Sequence, residues 1–302
     1  MKEINFKKIQ TTNLGFGTSS LTKNNSLAGA LENLNTAYDL GIRHFDTAPL
    51  YGFGNAESIV GKFAKSKRKN LTITTKYGLK TRKLPLRLLP LINMSRKLAK
   101  KLVAKKKVVN TKSNEVFEEN EVIIFPGELI KGIEDSLQNL QTDYIDVFLL
   151  HEVSTSSANN EDLIDTLLKQ KEKGKIKEIG LGSEFNKIHN KKNEINNAYS
   201  VIQFNDQVKQ QNINKLNDDN RLFCRHGMFF DLKLAQSFLD EIGNQDISSV
   251  QLCIEFFKRT NKNSISIFSS SRNENIKQTI NFWNHTHNIP DELWNKYLTY
   301  LK

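Results

Sequence analysis

Cysteine is scarce in this chain. Cys224 and Cys253 are the whole complement, too few for a disulfide-stapled secreted domain and too far apart for a zinc site. Both lie among apolar neighbours and read as free core thiols. Long apolar runs are missing too: no stretch approaches the ~18 apolar residues of a membrane-spanning helix, and Met1-Lys2-Glu3-Ile4-Asn5 lacks the basic-then-apolar order of a secretion signal. The expectation is a soluble, cytoplasmic protein.

Acidic residues are missing from one segment. Positions 81–114 carry 11 lysines and arginines and no Asp or Glu; taking these from 44 leaves 33, equal to the 33 acids of the whole chain. A neutral body with one basic segment follows. The same segment has no Phe, Tyr or Trp, so it lacks the stacking groups of a nucleic-acid surface. Leu98, Ala99, Leu102 and Val103 recur among the lysines at helical spacing, which predicts a basic amphipathic helix over 95–107. Pro85 and Pro90 prevent the preceding stretch from forming one regular helix. Three uses stay open for this insertion: a solvated excursion, a lid over an anionic substrate, or a peripheral contact with an anionic membrane surface.

The 302 residues fit either two domains of roughly 150 residues or one barrel of about 250. Without the basic segment, short apolar runs alternate with helical patterns, the signal of parallel βαβ units. Strands are expected at 14–18, 43–46, 71–76, 144–151, 176–183, 200–205, 221–225 and 264–268. Helical stretches are expected at 26–40, 55–63, 126–140, 160–173, weakly near 186–197, then at 247–259, 275–283 and 291–300, with none in the polar link 206–220. Eight strands interleaved with helices predict a closed (β/α)8 TIM barrel, one domain over 1–302 with the basic insertion after its third strand.

In such a barrel the chemistry gathers at the carboxyl ends of the strands. Asp46 ends the second strand, Tyr51 follows on its loop, Lys76 ends the third and His151 ends the fourth. A lysine paired with a carboxylate and set against a tyrosine stabilises the phenolate and lowers a pKa otherwise about 10. The tyrosine then exchanges protons near neutrality, and a neutral histidine adds a donor for a carbonyl oxygen. The four together suit hydride chemistry at a C=O or CH–OH centre.

Phe45-Asp46-Thr47-Ala48-Pro49-Leu50-Tyr51-Gly52 with Glu57, Ile73-Thr74-Thr75-Lys76, and Ser136 through His151 closely resemble the aldo-keto reductases. The resemblance implies an oxidoreductase barrel that binds NADP(H) without a Rossmann domain. It makes Tyr51 the general acid/base, Lys76 and Asp46 its supporting pair, and His151 the group orienting the carbonyl. It also implies cofactor contacts: Gly17-Thr18-Ser19 after the first strand, Ser183 at the fifth, Gln203 at the sixth and Arg221 at the seventh. Gly182-Ser183 stands where the family has serine-asparagine. Ser269, Ser271, Arg272 and Asn275, at the start of a helix after the eighth strand, resemble the clamp for the adenosine 2′-phosphate. The arginine favours NADP(H) over NAD(H). The expected partner is a small carbonyl or sugar substrate, a nucleotide sugar or another anionic molecule included; no metal is expected. The alternatives are a non-catalytic nucleotide-binding regulatory barrel and, on the basic segment alone, a membrane or nucleic-acid role.

Overall fold

The computed structural model describes residues 1–23, 26–79, 124–190, 192–216, 218, 220–260, 263–285 and 289–301. The basic segment 81–114, with its expected helix over 95–107, lies outside the described residues.

Ten strands are described. β1 (Glu3–Phe6) and β2 (Ile9–Thr12) form an antiparallel hairpin. β3 (Leu14–Gly17), β4 (His44–Asp46), β5 (Thr72–Tyr77), β6 (Ile145–His151), β7 (Ile176–Gly182), β8 (Val201–Asn205), β9 (Leu222–His226) and β10 (Ser264–Phe268) pair in parallel in that order, and β10 returns to β3. The sheet is therefore a closed (β/α)8 barrel. Its eight strands overlap all the expected ones.

The strands are buried on both faces, and alternate residues sort between two apolar cores. Phe45, Ile73, Phe148, Leu150, Ile202 and Phe204 pack with the helices in the outer core. Val147, Leu149, Val201, Leu222, Cys224 and Ile267 fill the barrel interior. The hairpin precedes the first barrel strand and contributes Ile4 and Ile9 to the interior, closing the amino end. No hairpin is expected from its turn, Lys7-Lys8, because the usual Asn-Gly or Asp-Gly signal is absent although Lys7 has φ 48°.

The outer layer comprises α1 (Leu27–Asp39), α2 (Ala56–Ala64), α3 (Pro126–Leu140), α4 (Thr155–Ala158), α5 (Glu161–Glu172), α6 (Phe185–His189), α7 (Leu232–Glu241), α8 (Ser249–Arg259), α9 (Asn273–Asn284) and α10 (Asp291–Tyr300). Local chemistry sets many of the ends. Ser26 caps α1 by accepting the Gly29 N–H, Pro126 opens α3, and Ser248 with Gln251 forms a capping box on α8. α7 lies outside the expected helical stretches, as does the single turn α4. The weak stretch near 186–197 reduces to the short α6, and the polar link 206–220 holds a 3-10 turn, Asn212–Lys215.

Candidate active site

Strand phase decides which polar side chains enter the barrel mouth. Asp46, Lys76, His151, Gln203 and His226 stand within two residues of the carboxyl ends of β4, β5, β6, β8 and β9, in step with the inward-facing residues of those strands. Tyr51 opens a tight turn, Tyr51–Gly54, in which Gly52, Phe53 and Gly54 all have positive φ. A Cβ at Gly52 would also meet Thr22 Cγ2 at 2.9 Å, so the turn is shaped by both backbone and contact.

Lys76 Nζ lies 2.7 Å from each oxygen of Asp46 and donates to Thr47 O at 2.9 Å. The ammonium is 5.0 Å from the Tyr51 ring centroid, and the His151 ring stands edge-on to that ring at 6.4 Å. Gln203 Nε2 donates to Asp46 Oδ2 at 2.8 Å. Thr18 is fully buried and its hydroxyl is committed to Asp46 O and Thr47 Oγ1, so it braces the Asp46 loop from behind.

Burial dominates the electrostatics. It pushes the Tyr51 phenol above its ordinary pKa; Lys76 pulls it down, by less, and Asp46 and Glu152 push it up. The expected lowering is thus outweighed by desolvation, and the phenol keeps its proton at neutral pH. Burial pulls the Lys76 ammonium down, but Asp46 and Tyr51 together hold its pKa above the ordinary value. His151 is lowered to about 3 by burial first and the Lys76 charge second, so its imidazole is neutral. His226 is lowered to about 4 for the same first cause.

Two cavities meet at this mouth. One, of about 330 Å³, is bounded by Gly17, Tyr51, His226, Phe229, Ile267 and Ser269. The other, of about 470 Å³, is bounded by Glu152, Ser183, Asn186, Asn205, Gln210 and Asn212, and His226 and Phe230 line both. A larger cavity of about 550 Å³ lies beside Tyr77 and Glu128, with none of Asp46, Tyr51, Lys76 and His151 on its wall.

Four of the sequence-expected cofactor residues line these cavities. Gly17, Ser19 and Ser269 line the first; Ser269 Oγ accepts from Ser19 Oγ at 3.4 Å and from the Ser20 N–H at 3.2 Å, with a further Ser20–Ser269 hydroxyl contact. Ser183 lines the second and donates to Glu152 Oε2 at 3.0 Å. Ser271, Arg272 and Asn275 stand at the start of α9, where Arg272 is the N-cap residue and no side chain caps the helix. Arg221 stands elsewhere and its expected role is corrected. It precedes β9 at the amino end, bonded to Asp218 at 2.5 Å, Tyr199 O at 3.1 Å and Ile195 O at 3.0 Å. Five residues of extended chain separate it from His226, roughly 16 Å. His226, Phe230 and Glu152 are wall residues outside the sequence expectation. The first was legible as the inward-phase successor of Leu222 and Cys224.

The model of the Aldo/keto reductase family matches residues 13–227. The chain belongs to the aldo/keto reductase family. It is 27% identical over 179 residues to aldo-keto reductase YhdN of Bacillus subtilis, an alignment covering 58% of this chain and 44% of that protein. This chain spans less than half the length of the curated relatives it matches. Among solved structures, an aldo-keto reductase of Bacillus halodurans in its holo form superposes with a TM-score of 0.72 at 18% identity, covering 100% of this chain and 97% of that one. A Klebsiella pneumoniae aldo-keto reductase in complex with NADPH superposes with a TM-score of 0.67 at 15% identity, covering 99% and 95%. These two likenesses concern the fold.

Proposed function

We propose that this chain is an NADP(H)-dependent oxidoreductase that transfers a hydride between the nicotinamide and the carbonyl or alcohol carbon of a small hydroxylated substrate. One observation carries the reading: Lys76 is bonded to Asp46 with its ammonium 5.0 Å from the Tyr51 ring, beside a neutral His151. Family membership and the NADPH-bound relative support it.

The residues present fit a phosphorylated dinucleotide. The uncapped start of α9 leaves backbone N–H groups for an anion beside the exposed guanidinium of Arg272, with Ser269, Ser271 and Asn275 close in sequence. The cavity walled by Gly17, Tyr51, Phe229 and Ser269 lies over Asp46 at the strand ends. Bound NADPH would supply the hydride. Tyr51, kept neutral by burial, gives its proton to the substrate oxygen; Lys76, fixed by Asp46, eases that loss by stabilising the phenolate. His151 stays uncharged and offers an N–H to the same oxygen without competing as the acid. In the alcohol-oxidising direction Tyr51 takes the proton back.

The substrate we infer is a neutral polyhydroxylated aldehyde or ketone, a sugar being the simplest case. The cavity beside His151 offers Glu152 with serine and amide side chains, groups that pair with hydroxyls, and Phe230 is 65% exposed at its edge as an apolar platform. The test is turnover of NADPH and NADH with a panel of hydroxylated, aromatic and phosphorylated aldehydes. The reading requires NADPH-dependent reduction with hydroxylated aldehydes among the better substrates; NADPH binding without turnover of any carbonyl would contradict it.

A further inference from the structure

Glu152 has an unusual backbone for its residue type. It follows His151 directly, its N–H bonds Gly182 O at 2.8 Å, and its φ is 56°, in the left-handed region that disfavours a side chain such as glutamate. Neither glycine nor asparagine, the residues that tolerate this geometry, stands there. The conformation carries the carboxylate onto Ser183, whose hydroxyl donates to Glu152 Oε2, and Lys187 Nζ reaches the same oxygen at 3.5 Å. The Glu152 side chain is 27% exposed, on the cavity wall.

Around Glu152 the cavity wall carries serine and amide side chains. Asn212 Nδ2 is shared between Asn205 O and Gln210 Oε1, and Asn205 Oδ1 accepts the Phe185 N–H. Because the Ser183 proton points to Glu152, that hydroxyl presents lone pairs to the cavity. The Glu152 carboxylate and those lone pairs suit a group that brings its own N–H or O–H donors, and the carboxylate disfavours a second carboxylate or a phosphate beside it.

We propose that Glu152, acting directly and through Ser183, is a specificity-determining residue that makes this cleft select a hydrogen-bond-donating group, an amide or a hydroxyl, over an anionic one. The inference rests on the dinucleotide-dependent reading above. Two sources could bring that chemistry: the carboxamide of the dinucleotide or the hydroxyls of the substrate. Glu152 follows His151 directly, and its cavity shares His226 and Phe230 with the one that Tyr51 lines.

The experiment uses the full chain and the variants Glu152→Gln, Glu152→Ala and Ser183→Ala. The first arm measures Kd by fluorescence quenching for NADP+ and for adenosine 2′,5′-bisphosphate, which has no carboxamide. The second measures kcat/KM for glyceraldehyde and for an aldehyde of similar size that carries a carboxylate. Glu152→Gln should shift at least one ratio, NADP+ to bisphosphate affinity or glyceraldehyde to carboxylated aldehyde efficiency, by about tenfold, the scale of one close charge contact. A shift in the first arm alone assigns the cleft to the carboxamide, and one in the second alone to the substrate. Both ratios unmoved in a variant that folds as the parent does would overturn the proposal. The unmodified protein, assayed alongside, separates this from the functional reading: if it turns over NADPH while the ratios hold, only the role of Glu152 fails. Thermal unfolding of Glu152→Gly adds a readout, since glycine relieves the left-handed strain: an unchanged or higher Tm is expected, and a large fall would show that Glu152 serves stability instead.

Discussion

Lys76 Nζ sits 2.7 Å from both oxygens of Asp46 at the centre of the barrel mouth, with almost no exposure on either side chain. Removing one partner of a buried pair leaves the other without compensation. Lys76→Met should therefore lower stability by ~3–5 kcal/mol in urea unfolding. It also removes the group that pulls the Tyr51 pKa down, so the pH-rate profile for alcohol oxidation should move to higher pH. An unmoved profile would separate Lys76 from Tyr51.

Arg272→Ala should weaken NADPH far more than NADH, because the second lacks the 2′-phosphate that a charge-assisted hydrogen bond would hold. A contact of ~1.5–3 kcal/mol corresponds to a change of about 10- to 100-fold in the ratio of the two dissociation constants. Arg221→Ala, at the opposite end of β9, should leave that ratio alone. Equal effects on NADPH and NADH would move the phosphate site away from α9.

How much of this was legible in the sequence depended on strand phase. Asp46 and His151 end their strands and Lys76 stands one residue before the end of its own, positions legible because each closes a β-prone run, and the barrel followed from eight such runs. Arg221 was misplaced because it precedes its strand and stands at the amino end; the residue that reaches the mouth is His226. The helix α7 carries Ala235, Phe238 and Leu239 at helical spacing, but the adjoining Met228, Phe229 and Phe230 blur its period. Nothing in the sequence marked Glu152, since its role depends on a backbone angle.

Buried neutral histidines make stability fall with acid. His44, His151 and His226 are lowered to about 4, 3 and 4 by burial, below the ordinary value near 6.5. Between those values the unfolded chain binds more protons than the folded one, so the stabilisation is complete above pH ~6.5 and is lost as pH drops toward 4. Tm measured from pH 7 to pH 4 should fall, and the fall should be shallower in His44→Gln, which keeps a polar side chain next to Thr74. A variant as acid-sensitive as the parent would exclude His44 as a contributor.

The proton of Tyr51 is the centre of the account, and Tyr51→Phe removes it while sparing the ring. The measurement is single-turnover reduction of an aldehyde by the preformed NADPH complex, with Kd for NADPH determined on the same protein. The account predicts a rate lower by ~10²–10⁴-fold, the contribution of a positioned general acid, with Kd nearly unchanged. Retention of most of the parent rate would contradict it.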